Sequence, residues 1–203
     1  MKNYSIMLKP ASSLCDLRCR YCFYADVAAR RSVRSFGMMQ DSVLRRIMEN
    51  IARSVAPGDH ITLMFQGGEP MLAGLDFFRT LAEIADSWPS GISVSYALQT
   101  NAMHLDEAWC LFLKKHEFVV GVSHDLLAAQ HNTARVDASG APTMQRVERS
   151  ISLLRKHDIA FNVLCTLTNP LARHPQQVWK RIVQLNLPYV QFTPCLGFLE
   201  QTE

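Results

Sequence analysis

Two hydrophobic patterns alternate along the chain. Short apolar runs, rich in β-branched and aromatic residues and bounded by polar or turn-forming residues, predict six β-strands. These strands are predicted at residues 4–9, 61–66, 92–99, 118–123, 160–168 and 189–194. Several of the runs are apolar on both faces, which is typical of strands that are covered on each side.

Between the strands, apolar residues recur every three or four positions, which predicts amphipathic helices. The five clear helices are predicted at residues 39–55, 75–87, 106–115, 143–156 and 175–185. Asp106 suits a helix N-cap, and Pro175 suits a first helical turn. Each connection is long enough to return the next strand parallel to the last, so the fold class is α/β. An open doubly wound sheet and a partial (β/α) barrel both fit this pattern.

Composition excludes several classes of protein. The chain has 203 residues, of which 48% are hydrophobic and 19% are charged, so it is neither disordered nor fibrous. We expect residues 1–203 to form a single domain. A net charge of +3 is too small to indicate nucleic-acid binding. No apolar run approaches the roughly 20 residues that span a bilayer, and no signal peptide is recognisable, so we expect a cytoplasmic protein that does not enter a membrane.

The spacing of three cysteines is the first feature of the sequence that indicates a specific kind of site. Cys15, Cys19 and Cys22 form a C-x3-C-x2-C loop directly after the first predicted strand. An iron–sulfur cube normally takes four cysteines, so three would leave one iron open to a substrate or cofactor. A zinc site would normally have a fourth ligand and two separated cysteine pairs, and a chance cluster of buried cysteines is the third alternative.

With Tyr21 as the aromatic residue before the third cysteine, this loop resembles the signature of the radical S-adenosylmethionine (SAM) superfamily. The resemblance extends to the anaerobic sulfatase-maturating enzymes and is collinear along essentially the whole chain. The matching segments are 9–13 (KPASS), 22–24 (CFY), 66–75 (QGGEPMLAGL), 98–101 (LQTN), 121–123 (GVS), 161–164 (FNVL) and 191–192 (QF). The resemblance implies a partial (β/α)6 TIM-like barrel, the radical SAM core, which is truncated after its sixth strand.

The resemblance also implies the cofactors and their ligands. The three cysteines would bind a 4Fe–4S cluster, and SAM would chelate the open iron. The residues implied to contact SAM or to face the substrate are Tyr21, Tyr24, Gln66, Gly67, Gly68, Glu69, Ser123, Arg149 and Leu196. Glu69 could accept from the ammonium group of SAM, and Arg149 could pair with its carboxylate, although a solvated helix face is an alternative for Arg149.

Other polar and sulfur residues are assigned no site. Cys110, Cys165 and Cys195 are interpreted as small buried hydrophobic residues. His124 is interpreted as incidental. Leu126 and Leu127 stand where the family has Gly-Pro, so a different backbone path is expected in that loop. Ala102 likewise replaces a common glycine.

By resemblance, the activity is oxidation of a sulfatase cysteine or serine to Cα-formylglycine through a 5′-deoxyadenosyl radical. The partners would be the sulfatase polypeptide and a flavodoxin- or ferredoxin-type reductant. Members of that family extend further, with auxiliary clusters and an aspartate base, so no catalytic base is named in this chain. Three alternatives remain: a radical enzyme that acts on another peptide, a non-catalytic fragment that binds the cluster and SAM, and a zinc module.

Overall fold

A computed structural model describes residues 1–197, and six parallel strands form one sheet within them. The strands are β1 (Asn3–Leu8), β2 (His60–Phe65), β3 (Ser93–Thr100), β4 (Val119–Ser123), β5 (Phe161–Leu167) and β6 (Val190–Pro194). Their order across the sheet is their order along the chain, and every neighbouring pair is parallel.

This sequential order decides between the two architectures that the sequence left open. A doubly wound sheet reverses its strand order at a switch point, and no reversal occurs between β1 and β6. Because right-handed crossovers that all step the same way place the helices on one face, the sheet curls into a half-barrel. The predicted partial (β/α)6 barrel is confirmed.

The five predicted helices are present with shifts of up to two residues at their ends. They are α2 (Asp41–Ser54), α3 (Leu75–Asp86), α4 (Glu107–Lys115), α6 (Met144–Lys156) and α8 (Pro175–Gln184), and α1 (Phe23–Ala29), α5 (Ala128–Ala134), α7 (Asn169–Ala172) and a 3-10 turn (Pro70–Ala73) are additional. The Asp106 side chain accepts a 2.9 Å hydrogen bond from Trp109 N, which confirms the predicted N-cap of α4. No helix of the described residues is long and apolar enough to cross a membrane.

The core lies between the outer face of the sheet and the helices. In β2, Ile61, Leu63 and Phe65 are fully buried, whereas the alternate residues are only half-buried. Phe65 contacts Phe78 of α3 with ring centroids 4.9 Å apart. The alternate residues of β2 are therefore only partly covered, because they face the concave side of the half-barrel.

Candidate functional site

A cavity of about 570 Å³ opens at the carboxyl ends of the strands, where (β/α) barrels carry their active sites. The loop after β1 forms one wall, and the ends of β2 to β6 form the others. Predicted site residues in the lining are Cys15, Cys19, Tyr21, Cys22, Tyr24, Gln66, Gly67, Gly68, Glu69, Ser123 and Leu196. The fold therefore brings together nearly all the positions that the sequence indicated.

The three cysteines of the loop are half-buried in this wall, and backbone N–H groups already point at two of their sulfurs. Leu17 N lies 3.4 Å from Cys15 Sγ, and Ala25 N lies 3.4 Å from Cys22 Sγ. The second contact makes Cys22 the N-cap of α1. Donors of this kind stabilise negative charge on sulfur.

Burial raises the pKa of the Cys15 thiol to about 12 and also raises the pKa of Cys19, so a cation is needed to hold these sulfurs as thiolates at neutral pH. Within residues 1–197, no three His, Cys, Asp or Glu side chains lie close enough together to hold a single metal ion. An iron–sulfur cube requires a wider arrangement, because each cysteine binds a different iron. The donor set therefore fits a cluster better than it fits a lone zinc ion.

The glycine pair after β2 packs directly against the cysteine loop. Gly68 N donates to Ser12 O at 2.9 Å, and Glu69 N donates to Leu14 O at 2.8 Å. A Cβ atom on Gly68 would lie 2.0 Å from Leu14 O, so only glycine fits there. Because these N–H groups point at the loop, the carbonyls of Gly67 and Gly68 in the same peptide units point the opposite way.

Glu69 is almost completely buried, and its carboxylate is engaged within the protein. Oε1 accepts hydrogen bonds from Met71 N and Thr100 Oγ1, and Oε2 accepts one from Asn101 N, all at 2.8–2.9 Å. Burial raises the pKa of Glu69 to about 7, although these hydrogen bonds oppose the rise. The carboxylate thus joins the 3-10 turn to the end of β3, and its contact with an ammonium group stays a prediction.

A buried ion pair, for which the sequence carries no local signal, forms the wall beside Cys19. Arg135 Nε lies 3.0 Å from Asp125 Oδ2, and both side chains are at most 8% exposed. Tyr21 donates its hydroxyl hydrogen bond to Asp125, and the Arg135 guanidinium lies 5.3 Å from the centre of the Tyr21 ring. Burial is the largest single effect and opposes ionisation of Asp125. The charge of Arg135 and the hydrogen bonds that the carboxylate accepts from Tyr21, Arg135 and Thr166 N together keep the pKa of Asp125 below its ordinary value. Asp125, Arg135 and Tyr21 are called the carboxylate clamp below.

Arg149, which was predicted to contact SAM, lies outside the cavity. It is exposed on α6 and does not line the cavity, so the helix turns this predicted contact away from the site. Arg135 lines the cavity instead. No sequence signal marked Arg135, since it follows the short polar helix α5, and its link to Asp125 is formed only in the tertiary structure.

Four polar side chains and Leu196 also line the cavity. The Gln99 amide nitrogen donates to Ser123 Oγ at 3.3 Å, and Tyr24 forms a hydrogen bond with the Gln66 side chain. Leu196 is 68% exposed at the end of the sheet. Each lines the cavity, and their roles remain predictions.

The two departures from the family pattern adopt the backbone conformation that glycine favours. Leu126 has φ +63° and Ala102 has φ +59°, and both are fully buried. Leu127 N donates to Asp125 O at 2.7 Å, so the loop turns tightly despite its two leucines. His124 is not incidental to this turn, because its Nδ1 accepts a 3.1 Å hydrogen bond from Leu126 N.

The three remaining cysteines do not all match their prediction. Cys110 and Cys165 are fully buried in the core, as expected. Cys195 is exposed and lines the cavity, so its interpretation as a buried hydrophobic residue is wrong. It directly follows β6, which has no neighbouring strand on its outer side in the described residues.

Comparison with known proteins gives a family and relatives. The family model described as the radical SAM superfamily matches residues 10–172. The cysteine-type anaerobic sulfatase-maturating enzyme of Clostridium perfringens is 39% identical over 97% of this chain and 53% of its own length. The serine-type enzyme of Klebsiella aerogenes is 34% identical over 96% of this chain and 47% of its own length.

Solved structures agree with these relatives. Native anSMEcpe with bound AdoMet matches with a TM-score of 0.89 and 38% identity, over 96% of this chain and 53% of that one. The same protein with AdoMet and the Cp18Cys peptide matches with a TM-score of 0.88. The chain spans about half the length of the relatives that it matches.

Proposed function

We propose, from the premise that the chain belongs to the radical SAM superfamily, that it is the radical core of a peptide-oxidising enzyme of the sulfatase-maturating type. Members of this superfamily use a 4Fe–4S cluster and SAM, and this chain resembles the anaerobic sulfatase maturases. One observation carries the proposal. Three cysteines, a glycine loop that tolerates no side chain and a buried arginine line one cavity at the carboxyl ends of the strands.

Cys15, Cys19 and Cys22 are the proposed cluster ligands. Their spacing in the loop follows the family signature, and all three sulfurs belong to residues that line the cavity. The N–H groups of Leu17 and Ala25 would stabilise the thiolates. A fourth ligand is not required, because the open iron is where SAM would bind.

Arg135 is the proposed partner of the SAM carboxylate. Asp125 holds the guanidinium in place by accepting from Nε at 3.0 Å and from Nη2 at 3.3 Å. The carbonyls of Gly67 and Gly68 would accept from the ammonium group, because their amides are turned toward the cysteine loop. The carboxylate of Glu69 would hold this loop in place.

Tyr24 and Gln66 are proposed to face the substrate, and Ser123, Tyr21 and Leu196 are proposed to contact the nucleoside. When bound, the cluster and SAM supply a one-electron cleavage that generates the 5′-deoxyadenosyl radical. The protein excludes bulk water from this chemistry and aligns the substrate Cβ with it. From a cysteine substrate, that carbon would lose one hydrogen atom to the radical, and the side chain would then lose the thiol proton and one electron, which the electron-transfer partner would accept. Hydrolysis of the resulting thioaldehyde would release hydrogen sulfide and yield Cα-formylglycine. The sulfatase polypeptide and a small electron-transfer protein are the proposed partners.

Anaerobic reconstitution tests the proposal in two stages. Purified chain is loaded with iron and sulfide, mixed with SAM, reduced with dithionite, and assayed for 5′-deoxyadenosine. A cysteine-containing sulfatase peptide is then added, and mass spectrometry is used to search for the aldehyde. Both products support the proposed function. A variant with all three loop cysteines replaced by alanine is the control, and it should give neither product.

A second candidate is a protein that binds the cluster and SAM without catalysis. Such a protein would hold the cluster and SAM but would not form 5′-deoxyadenosine. Adding other peptides separates a third case, a radical enzyme with a different substrate. Stoichiometric zinc and no iron after aerobic and anaerobic purification would indicate a zinc module and reject all three.

A further inference from the structure

Asn101 follows β3 directly and lies in the cavity wall against the cysteine loop. It is 7% exposed, and its backbone is held because Asn101 N donates to Glu69 Oε2 at 2.8 Å. Its side-chain oxygen Oδ1 accepts a 2.9 Å hydrogen bond from Met103 N. These two contacts fix the orientation of the amide, so Nδ2 faces the cysteine loop.

Two acceptors face the two hydrogens of that nitrogen. Asp16 Oδ1 lies 2.7 Å from Nδ2, and Cys15 Sγ lies 3.7 Å from it. The other oxygen of Asp16 lies 3.1 Å from His104 Nε2. Asp16 and His104 therefore hold the amide from the side opposite Met103, and the second N–H of Asn101 is directed at the sulfur.

We propose that Asn101 is a positioning residue for the cluster and raises its reduction potential by donating a hydrogen bond to the Cys15 thiolate. The inference rests on the proposed function, since it requires that Cys15 binds the cluster. Reduction adds one negative charge to the cluster, and a fixed donor at a ligand sulfur stabilises the reduced form more than the oxidised form. Leu17 N, at 3.4 Å from the same sulfur, contributes a backbone donor that side-chain substitutions leave in place.

Two substitutions separate the donor from the shape of the residue. In Asn101→Asp, one carboxylate oxygen still accepts from Met103 N, and the other lies beside Asp16 and shares a proton with it, so neither donates to Cys15. In Asn101→Leu, the donor is removed without added charge, and the side chain keeps a similar volume. The midpoint potential should fall in both variants.

Asn132→Asp is the matched control. Asn132 Oδ1 accepts from Met144 N at 3.0 Å at the start of α6, and Asn132 does not line the cavity. The same change of amide to carboxylate there keeps the accepting oxygen and should leave the potential close to that of the unaltered chain.

Potentiometric titration followed by electron paramagnetic resonance of the reduced cluster measures these potentials, with iron and sulfide content confirming full loading. Equal potentials in the unaltered chain and both fully loaded Asn101 variants would overturn the inference while leaving the proposed function intact. Absence of a cluster from the unaltered chain would overturn both.

A second measurement decides the matter if the variants do not hold a cluster. The unaltered chain is labelled with nitrogen-15 in its asparagine side chains, and pulsed electron paramagnetic resonance of the reduced cluster is recorded. A hyperfine coupling to the labelled amide supports the hydrogen bond to the cysteine sulfur. A loaded, reduced cluster without that coupling would refute it.

Discussion

Replacing Arg135 with glutamine tests the carboxylate clamp. Arg135 and Asp125 are 8% and 3% exposed, and their closest nitrogen and oxygen atoms are 3.0 Å apart. At an effective dielectric constant of about 20, unit charges roughly 4 Å apart attract by about 4 kcal/mol. Removing one partner of such a buried pair costs about 3–5 kcal/mol, because the other charge is left without a partner. We expect the free energy of unfolding of the Arg135→Gln variant to fall by that amount.

The same substitution should weaken SAM binding. Loss of one member of a buried, hydrogen-bonded charge pair costs about 2 kcal/mol or more, which corresponds to roughly 30-fold in the dissociation constant. Arg135→Lys should fall between the two proteins, because lysine keeps the charge but loses the planar two-nitrogen contact with Asp125. Anaerobic calorimetry on cluster-loaded protein measures the binding, and urea unfolding of the cluster-free chain measures the stability.

Arg149→Gln is the matched control, since it removes the same charge from an exposed position on α6. Its stability should change by less than about 0.5 kcal/mol, and its SAM affinity should stay the same. The double variant Asp125→Asn with Arg135→Gln should recover part of the lost stability, because no unpaired charge remains. Weaker SAM binding in Arg149→Gln together with unchanged binding in Arg135→Gln would refute the reasoning and restore the sequence-based assignment.

Three further predictions concern the glycine loop, a buried histidine and a helix end. Gly68→Ala should prevent cluster loading, measured as iron per chain, because the new Cβ would lie 2.0 Å from Leu14 O. Gly197→Ala is the control and should load normally, because no atom lies within 4 Å of its new Cβ. Burial lowers the pKa of His131 to about 3 from an ordinary 6.5, so the protein should lose about 1.4 kcal/mol of stability per pH unit as the pH falls from 6.5 toward 3. This slope should flatten in His131→Gln and persist in the exposed His174→Gln, and an unchanged slope in His131→Gln would contradict the burial argument. Glu117 is exposed after α4 at φ +51°, a left-handed conformation that strains residues with a Cβ but not glycine. Glu117→Gly should therefore raise the free energy of unfolding by about 0.5–1 kcal/mol in urea titrations, whereas Glu117→Ala should give no gain.

Most of the fold could be predicted because its elements carry a period. The long amphipathic helices and the apolar strands each bury one face, and that requirement is written in the spacing of their side chains. The helices α1 and α5 were not predicted, since each has seven residues and too few turns to show a stripe. The inner faces of the strands were interpreted as covered, because a run of apolar residues does not show whether a second layer lies against it.

The placement of the cysteine loop and the glycine loop at one cavity could be predicted because each depends on residues that are adjacent in sequence. Cys15, Cys19 and Cys22 share one loop, and the requirement for Gly68 arises from one close backbone contact. The carboxylate of Glu69 was assigned to the ligand, whereas its hydrogen bonds go to Met71, Thr100 and Asn101. Those partners lie up to 32 residues away along the chain.

The sequence by itself determined the α/β class, the spacing of the three loop cysteines and the edge of the sheet at which that loop lies. Only the tertiary structure decided that Arg135 and not Arg149 faces the cavity, that Asn101 directs its amide at Cys15, and that Cys195 is exposed. The physical reason is that local periodicity fixes which face of an element is buried. The partner of a buried charge or amide is fixed only when distant segments pack together and each polar group must find a counterpart within reach.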